Sequence, residues 1–234
     1  MIAITFALPA ESFGLWRRLR NKINQRAGIA TIGGQIDHQE VEIVHTGVGK
    51  KLCATRIDNF LRAAQPRYLI AAGFAGAVRE DLQAGDLVFA ENFSDRELLA
   101  RAQRVLAGQT IHVGKLVTMP RMIDSVAERQ EIGRTHGAMA VDMETETIAQ
   151  ACAERGLPLL SLRVISDTPR EPFPAPPDVL FDIARQKTNF AKLSGYLMKH
   201  PAALPRLIGF ARRIARAREA LTDAIVALLR DGEL

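Results

Sequence analysis

Three acidic side chains follow apolar runs that read as strands. Glu11 comes after "IAITFA" (2–7), Glu144 after "GAMAVDM" (137–143), and Asp167 after "PLLSLRVIS" (158–166). A carboxylate at a strand end is costly unless it is hydrogen-bonded or used. In open α/β sheets, ligands lie outside the carboxyl ends of strands. Each position also has a plain structural reading. Glu11 and Glu144 suit the first turn of a helix, where a carboxylate meets the positive end of the dipole. Asp167, in "ISDTP", suits a turn before Pro169. The stretch "AVDMETETIAQACAERG" (140–156) poses the choice most sharply. Glu144 either starts a helix or holds a ligand. Two glycine segments, "HTGVGKK" (45–51) and "GFAGAV" (73–78), occupy comparable positions. The first lacks the third glycine of a dinucleotide loop and fails the Walker A pattern at Val44. A glycine turn before a helix is its plain reading.

The elements that would position these residues alternate along the chain. "AESFGLWRRLRNKI" (10–23) reads as a helix. "GIATIGG" and "VEIVHTG" read as strands joined by a hairpin near Gly33 and Gly34. Residues 49–64 place Cys53, Ile57, Phe60, Leu61 and Ala64 on one helical face. "RYLIAAG", "GDLVFAEN", "HVGKLVT" and "AMAVDM" continue the strands, with helical patterns near 95–107, 121–135 and 144–155. Continuous apolar strands alternating with helices predict an α/β sheet covered on both faces. Five prolines fall within 169–177, predicting a stiff, extended surface loop beside Asp167. Helical patterns follow at about 178–199 and 205–230.

Composition narrows the classes. The chain has 234 residues, 47% hydrophobic and 24% charged, enough to bury one core. Its two cysteines, Cys53 and Cys152, have no metal-type spacing and read as buried thiols of a reducing compartment. The first residues lack a basic n-region, so no signal peptide is expected. No apolar run reaches the length of a membrane span. The net charge of +5 is concentrated at 199–218, where Lys199, Arg206, Arg212, Arg213, Arg216 and Arg218 meet no acid. This basic segment lacks interleaved aromatics beyond Phe210, so nucleic acid is not an expected partner.

Several stretches together resemble the nucleoside phosphorylase and methylthioadenosine/S-adenosylhomocysteine nucleosidase superfamily. They are "ALPAES" (7–12), "HTGVGK" (45–50), "AAGFAGAVREDLQAGDLV" (71–88) and "VDMETETIAQACAERGLPLLSLRVISD" (141–167). The resemblance covers about residues 1–190. It implies a three-layer αβα single domain around a central mixed twisted sheet, with an extra C-terminal helical tail. Residues 1–193 would form the nucleosidase-like domain and 194–234 a basic amphipathic helical tail.

The resemblance also implies roles. Asp167 would protonate purine N7, which requires a raised pKa such as burial provides. Glu144 would accept hydrogen bonds from the ribose hydroxyls, with Met143 under the sugar. Gly73, Phe74, Ala75, Gly76, Arg121, Met122 and Ser166 would line the base pocket. Arg121 and Met122 depart from the family's usual aromatic–aliphatic pair. Family phosphorylases bind phosphate with an arginine and a serine; the matching positions here are Ala71 and Phe74. Nucleosidases place a water-activating glutamate where this chain has Glu11. A carboxylate beside a phosphate dianion is repulsive, which favours water. His45, Gly47 and Lys50 could still build an anion site, so phosphorolysis stays an alternative. A catalytically silent nucleoside-binding scaffold is the second alternative.

The tail carries a helical stripe of Leu207, Ala211, Ile214, Leu221, Ile225 and Leu228. It suits either packing on the body or on a partner subunit, or an interfacial helix on anionic lipid through residues 200–230. The shortened middle near 94–110, "GFAG" and this tail resemble the hopanoid-associated phosphorylase branch, whose members are thought to release adenine from adenosylhopane. The resemblance thus implies a purine nucleoside substrate, lipid-linked in this branch, and a homodimer. A cytoplasmic location is expected, peripheral at the inner membrane face on the lipid reading of the tail, and no metal or organic cofactor is indicated.

Overall fold

A computed structural model describes residues 1–26, 30–182, 186 and 190–231. The first strand, β1 (Ile2–Phe6), is buried along its whole length and lies parallel between β4 (Gln39–His45) and β5 (Leu69–Ala77). Its residues alternate with period two. Ile2, Ile4 and Phe6 enter one apolar cluster, while Ala3 enters another on the opposite face. The first cluster is completed by α1 (Pro9–Arg18), α3 (Arg96–Val105) and α8 (Leu204–Arg230). The second is completed by α2 (Lys50–Ala63) and α5 (Thr145–Ala153). Helices on both faces of one sheet make the expected three-layer αβα architecture.

The sheet has nine strands in the order β2-β3-β4-β1-β5-β8-β7-β6-β9. The strands not yet placed are β2 (Arg20–Arg26), β3 (Ala30–Ile36), β6 (Leu87–Ala90), β7 (Ile111–Thr118), β8 (Ala138–Asp142) and β9 (Leu159–Asp167). β5 is the hub. It pairs in parallel with β1 and β9 and antiparallel with β8, so β5-β8-β7-β6-β9 close into a ring. Pairing of Gly76 with both Val141 and Asp167 brings the ends of three strands together. The sheet is mixed because β8 and β6 run against their neighbours β5 and β9.

Local readings shift at several places. The helix expected over 10–23 stops at Arg18, and the chain turns into β2, with Asn21 at φ +49° beside a register shift. Pairing with β3 outweighs the helical pattern of those residues. The expected hairpin turn at Gly33 and Gly34 lies instead inside β3, and the chain reverses at Asp37 (φ +50°) and His38. Gly34 is required by proximity: a Cβ there would stand 2.8 Å from the Arg20 carbonyl oxygen. The expected strand start at Gly28 and Ile29 lies outside the described residues. The strand read at "RYLIAAG" runs on through "GFAGA" to Ala77. The helix expected near 121–135 begins later, as α4 (Val126–His136), with Ser125 accepting the Glu128 N–H at its start.

Beyond β9, the proline-rich segment leads to the short α6 (Pro177–Leu180), then α7 (Phe190–Lys199) and α8. The continuous helix expected over 178–199 is therefore two pieces, with 183–185 and 187–189 outside the described residues. α8 changes character along its length. Leu221, Ile225 and Leu228 are buried in the main apolar cluster, whereas Leu207 and Ile214 are half-buried and Ala211 is exposed. Cys53 and Cys152 are buried free thiols, and burial pushes each up to about 12.

Candidate active site

A cleft of about 300 Å³ opens where β1, β5, β8 and β9 end. Glu11, Glu144 and Asp167 all line it, although they come from three distant parts of the sequence. Met143, Phe74, Ala75, Gly76, Arg121, Met122 and Ser166 line it as well.

Glu11 starts a helix and also lines the cleft. It stands at the third position of α1, and Oε2 accepts the Leu8 N–H at 2.9 Å, holding the start of the helix. Oε1 accepts the Phe74 N–H from β5 at 3.0 Å. Burial raises its pKa; the backbone N–H groups of Phe74 and Leu8 and the charge of Arg163 oppose that rise. Two lone pairs beyond these bonds leave the carboxylate able to take a proton.

Glu144 precedes α5 with φ −134° and ψ −28°, outside helical geometry. Its side chain does not cap that helix. Oε1 accepts the Gly49 N–H at 2.8 Å, from the start of α2. Burial, then the neighbouring Asp142, push its pKa up to about 8. A helix-starting acid would be expected to face solvent; this one is 6% exposed and faces the cleft.

Asp167 ends β9 and is also buried. Oδ1 accepts the Ser166 hydroxyl at 2.6 Å, and Oδ2 accepts a hydrogen bond from Arg129 Nη2. Burial raises its pKa, and Arg129 and Ser166 work against that rise. Gly76 lies opposite it, and a Cβ there would stand 3.0 Å from Asp167 Oδ2.

Four expected site residues lie away from the cleft lining. Gly73 does not border the cleft; its missing side chain makes room for Arg163 and Glu11, which a Cβ would meet at 2.5 and 3.1 Å. His45, Gly47 and Lys50, the residues of the alternative anion site, do not border the cleft either. His45 Nε2 lies 2.8 Å from Ser12 Oγ, and burial followed by Arg56 lowers its pKa to about 4, so it carries no charge at neutral pH. The Gly47 N–H donates to the Ala7 carbonyl, and Lys50 is exposed.

Sequence reasoning missed the buried pairs beneath the cleft. Arg163, in the middle of β9, bonds Asp142 Oδ2 at 2.9 Å and Thr145 Oγ1 at 2.6 Å. A cation inside the apolar run "LLSLRVIS" was its signal, because buried charge requires a partner. Asp142 also accepts the Thr118 hydroxyl and so anchors the strand end that carries Met143 and Glu144. Arg129 on α4 had no such signal, since arginines on amphipathic helices are mostly exposed. The apolar rim of Val48, Phe173, Leu180, Phe181, Phe210 and Ile214 gathers residues from four separate segments.

Comparison with known proteins agrees with this geometry. A family model described as "Phosphorylase superfamily" matches residues 2–103 and 91–198. The 5'-methylthioadenosine/S-adenosylhomocysteine nucleosidase of Staphylococcus aureus (strain JH9) is 28% identical over 182 residues, covering 64% of this chain and 80% of that protein. The same-named nucleosidase from S. pneumoniae, solved with the transition-state inhibitor MT-ImmA, superposes with a TM-score of 0.74 at 25% identity, covering 98% of both chains. Futalosine hydrolase of Helicobacter pylori shares the fold, with a TM-score of 0.73 at 16% identity over 98% of this chain and 97% of that one. Fold and cleft define an enzyme that cleaves N-glycosidic bonds. The chain belongs to the phosphorylase superfamily.

Proposed function

We propose that the protein hydrolyses the N-glycosidic bond of an adenosine-type purine nucleoside and releases adenine. The convergence of Glu11, Glu144 and Asp167 on one cleft carries this reading. The C1′–N9 bond breaks as protonated Asp167 donates to purine N7, so the base leaves neutral. Glu144 accepts hydrogen bonds from the ribose hydroxyls, and Met143 supports the sugar. Glu11, as carboxylate, takes a proton from the water whose oxygen joins C1′. Burial raises the pKa of both Glu11 and Asp167, moving acid and base toward working pH.

Water is favoured over phosphate by the charges at the cleft. Arg121 pairs with Glu128 at 2.7 Å, and Arg129 pairs with Asp167. Among the described residues lining the cleft, no other cation could receive a phosphate dianion. Glu11 would repel it.

The apolar rim supports a hydrophobic group on the nucleoside, as in adenosylhopane. A zwitterionic amino-acid substituent would lose its hydration against these side chains. Phe210 and Ile214 of α8 form part of that rim, and the neighbouring surface exposes Phe190, Met198, Leu204 and Ile208 beside Lys199, Arg206, Arg212 and Arg216. This combination suits peripheral docking on anionic lipid at the cytoplasmic face of a membrane. No helix among the described residues is long and apolar enough to cross one. A homodimer completes the reading.

The test is to incubate the protein with methylthioadenosine, adenosylhomocysteine and adenosylhopane, with and without phosphate. Adenine released without phosphate, fastest from the lipid nucleoside, is expected. Dependence on phosphate would replace hydrolysis by phosphorolysis. Binding without adenine release under any condition would make the protein a silent scaffold.

A further inference from the structure

We propose that Arg129 is a positioning residue that aims the Asp167 carboxyl at the purine and ties that acid to the base side of the cleft; this rests on the hydrolytic reading above. Its guanidinium ties the paired ends of β5 and β9 to the segment that precedes α4. Nη1 donates to the Ala77 carbonyl at the end of β5 at 2.8 Å. Nη2 donates to the Ile123 carbonyl, next to Met122 of the pocket wall, at 2.7 Å. Nη2 also donates to Asp167 Oδ2. The side chain is 1% exposed, yet the residue borders the cleft.

A purely structural ion pair would be a poor choice at this place. Burying both charges is costly, and apolar residues of similar size often serve stability as well. Here the pair occupies the one carboxyl that the reaction needs as a proton donor. Space has been left for it, because a Cβ on Gly76 would lie 3.1 Å from Nη1 and 3.0 Å from Oδ2. With Arg129 on Oδ2 and Ser166 on Oδ1, rotation of the carboxyl is restrained from both sides. A lone pair on each oxygen remains for the proton and the base. The fixed cation also counteracts burial, keeping the acid from holding its proton too tightly. The fork geometry matters as much as the charge, since a lysine cannot reach three acceptors from one plane.

Two measurements on the full chain test this. The first is a carboxyl ¹³C NMR titration of Asp167 without substrate, assigned by its loss in Asp167→Asn. Arg129→Gln should raise the midpoint by about one pH unit or more, the size expected for losing an adjacent opposite charge. Arg129→Lys should leave it near wild type. The second is the pH profile of adenine release. Activity requires protonated Asp167 and is lost as pH rises through its pKa. In Arg129→Gln that alkaline limb should move upward, while kcat near neutrality falls at least about tenfold and KM changes little. Arg129→Lys should retain the wild-type limb but not the wild-type kcat.

An unmoved midpoint in Arg129→Gln overturns the proposal, as does wild-type kcat in Arg129→Lys. If Arg129→Gln does not fold, the lysine variant decides by its kcat alone. If the wild-type protein releases no base from any nucleoside, the hydrolytic reading fails, and the titration still reports whether Arg129 governs the carboxyl.

Discussion

Asp167, Glu11 and Glu144 have the same functional group in three different settings, and their chemistry follows from the differences. Asp167 meets a buried arginine and a hydroxyl, Glu11 meets two backbone N–H groups, and Glu144 meets one N–H and a neighbouring carboxylate. Asp167→Asn keeps an oxygen for Arg129 but cannot donate the acid proton, so the folded variant should lose about 10²- to 10⁴-fold in kcat. Circular dichroism and adenine release check this, and wild-type turnover would exclude the acid role. Glu144 supplies a second test. With a pKa near 8 it is largely protonated at pH 7, whereas on the proposed reading two ribose hydroxyls are best received by the carboxylate. Nucleoside binding at pH 7 should therefore release a proton. Calorimetry in buffers of different ionisation enthalpy reads that proton, and Glu144→Gln should abolish the buffer dependence. The sign for stability is the reverse of the usual carboxylate. The folded protein holds this proton where the unfolded chain, near 4.5, has lost it, so Glu144 makes stability fall as pH rises from about 4.5 to 8. Of these side chains, the two glutamates and Asp167 were legible as acids at strand ends. Arg129 was not, because nothing local distinguishes it from the exposed arginines around it.

Elements decide how those side chains meet. β8 runs against β5, which brings Met143 and Glu144 back over Phe74 instead of away from it. The strands were legible because period-two burial and continuous apolar runs are local properties. The pairing order was not, because it depends on contacts distant in sequence. α8 shows the same division. Its amphipathic stripe was visible in the sequence, but the burial of its second half and the partial exposure of its first were decided by packing on α1, α3, β3 and β9. Ile225 is 0% exposed, so Ile225→Ala should cost about 2–5 kcal/mol in urea denaturation. A loss below about 0.5 kcal/mol would show that α8 is peripheral to the core. Truncation before α8 should likewise destabilise the whole domain, so substitutions rather than deletions are the proper probes of the membrane reading.

At the scale of the molecule, the cleft and the basic surface share one helix. Phe210 and Ile214 wall the cleft, Phe210 meets Phe173 edge-on at 5.9 Å, and Leu204 and Ile208 remain exposed on the preceding turns. Replacing Leu204 and Ile208 by serine, together with Arg206 and Arg212 by glutamate, should abolish flotation with anionic liposomes. Turnover of soluble nucleosides should stay unchanged, because none of the four lines the cleft. Flotation equal to wild type would remove lipid docking from the reading. High salt should weaken binding of the unsubstituted protein, since screening acts on the exposed cations. The sequence by itself determined the α/β class, most element positions, the three acids and the basic amphipathic character of the C-terminal segment. All of these are written in residue type and short-range periodicity. Only the tertiary structure decided that His45 and Lys50 stay out of the cleft, that Gly73 serves Glu11 and Arg163, and that Arg129 reaches Asp167. Those outcomes depend on which strand ends the closed ring of β5, β8, β7, β6 and β9 brings within a few ångströms of one another, and long-range pairing of that kind leaves no local mark on the chain.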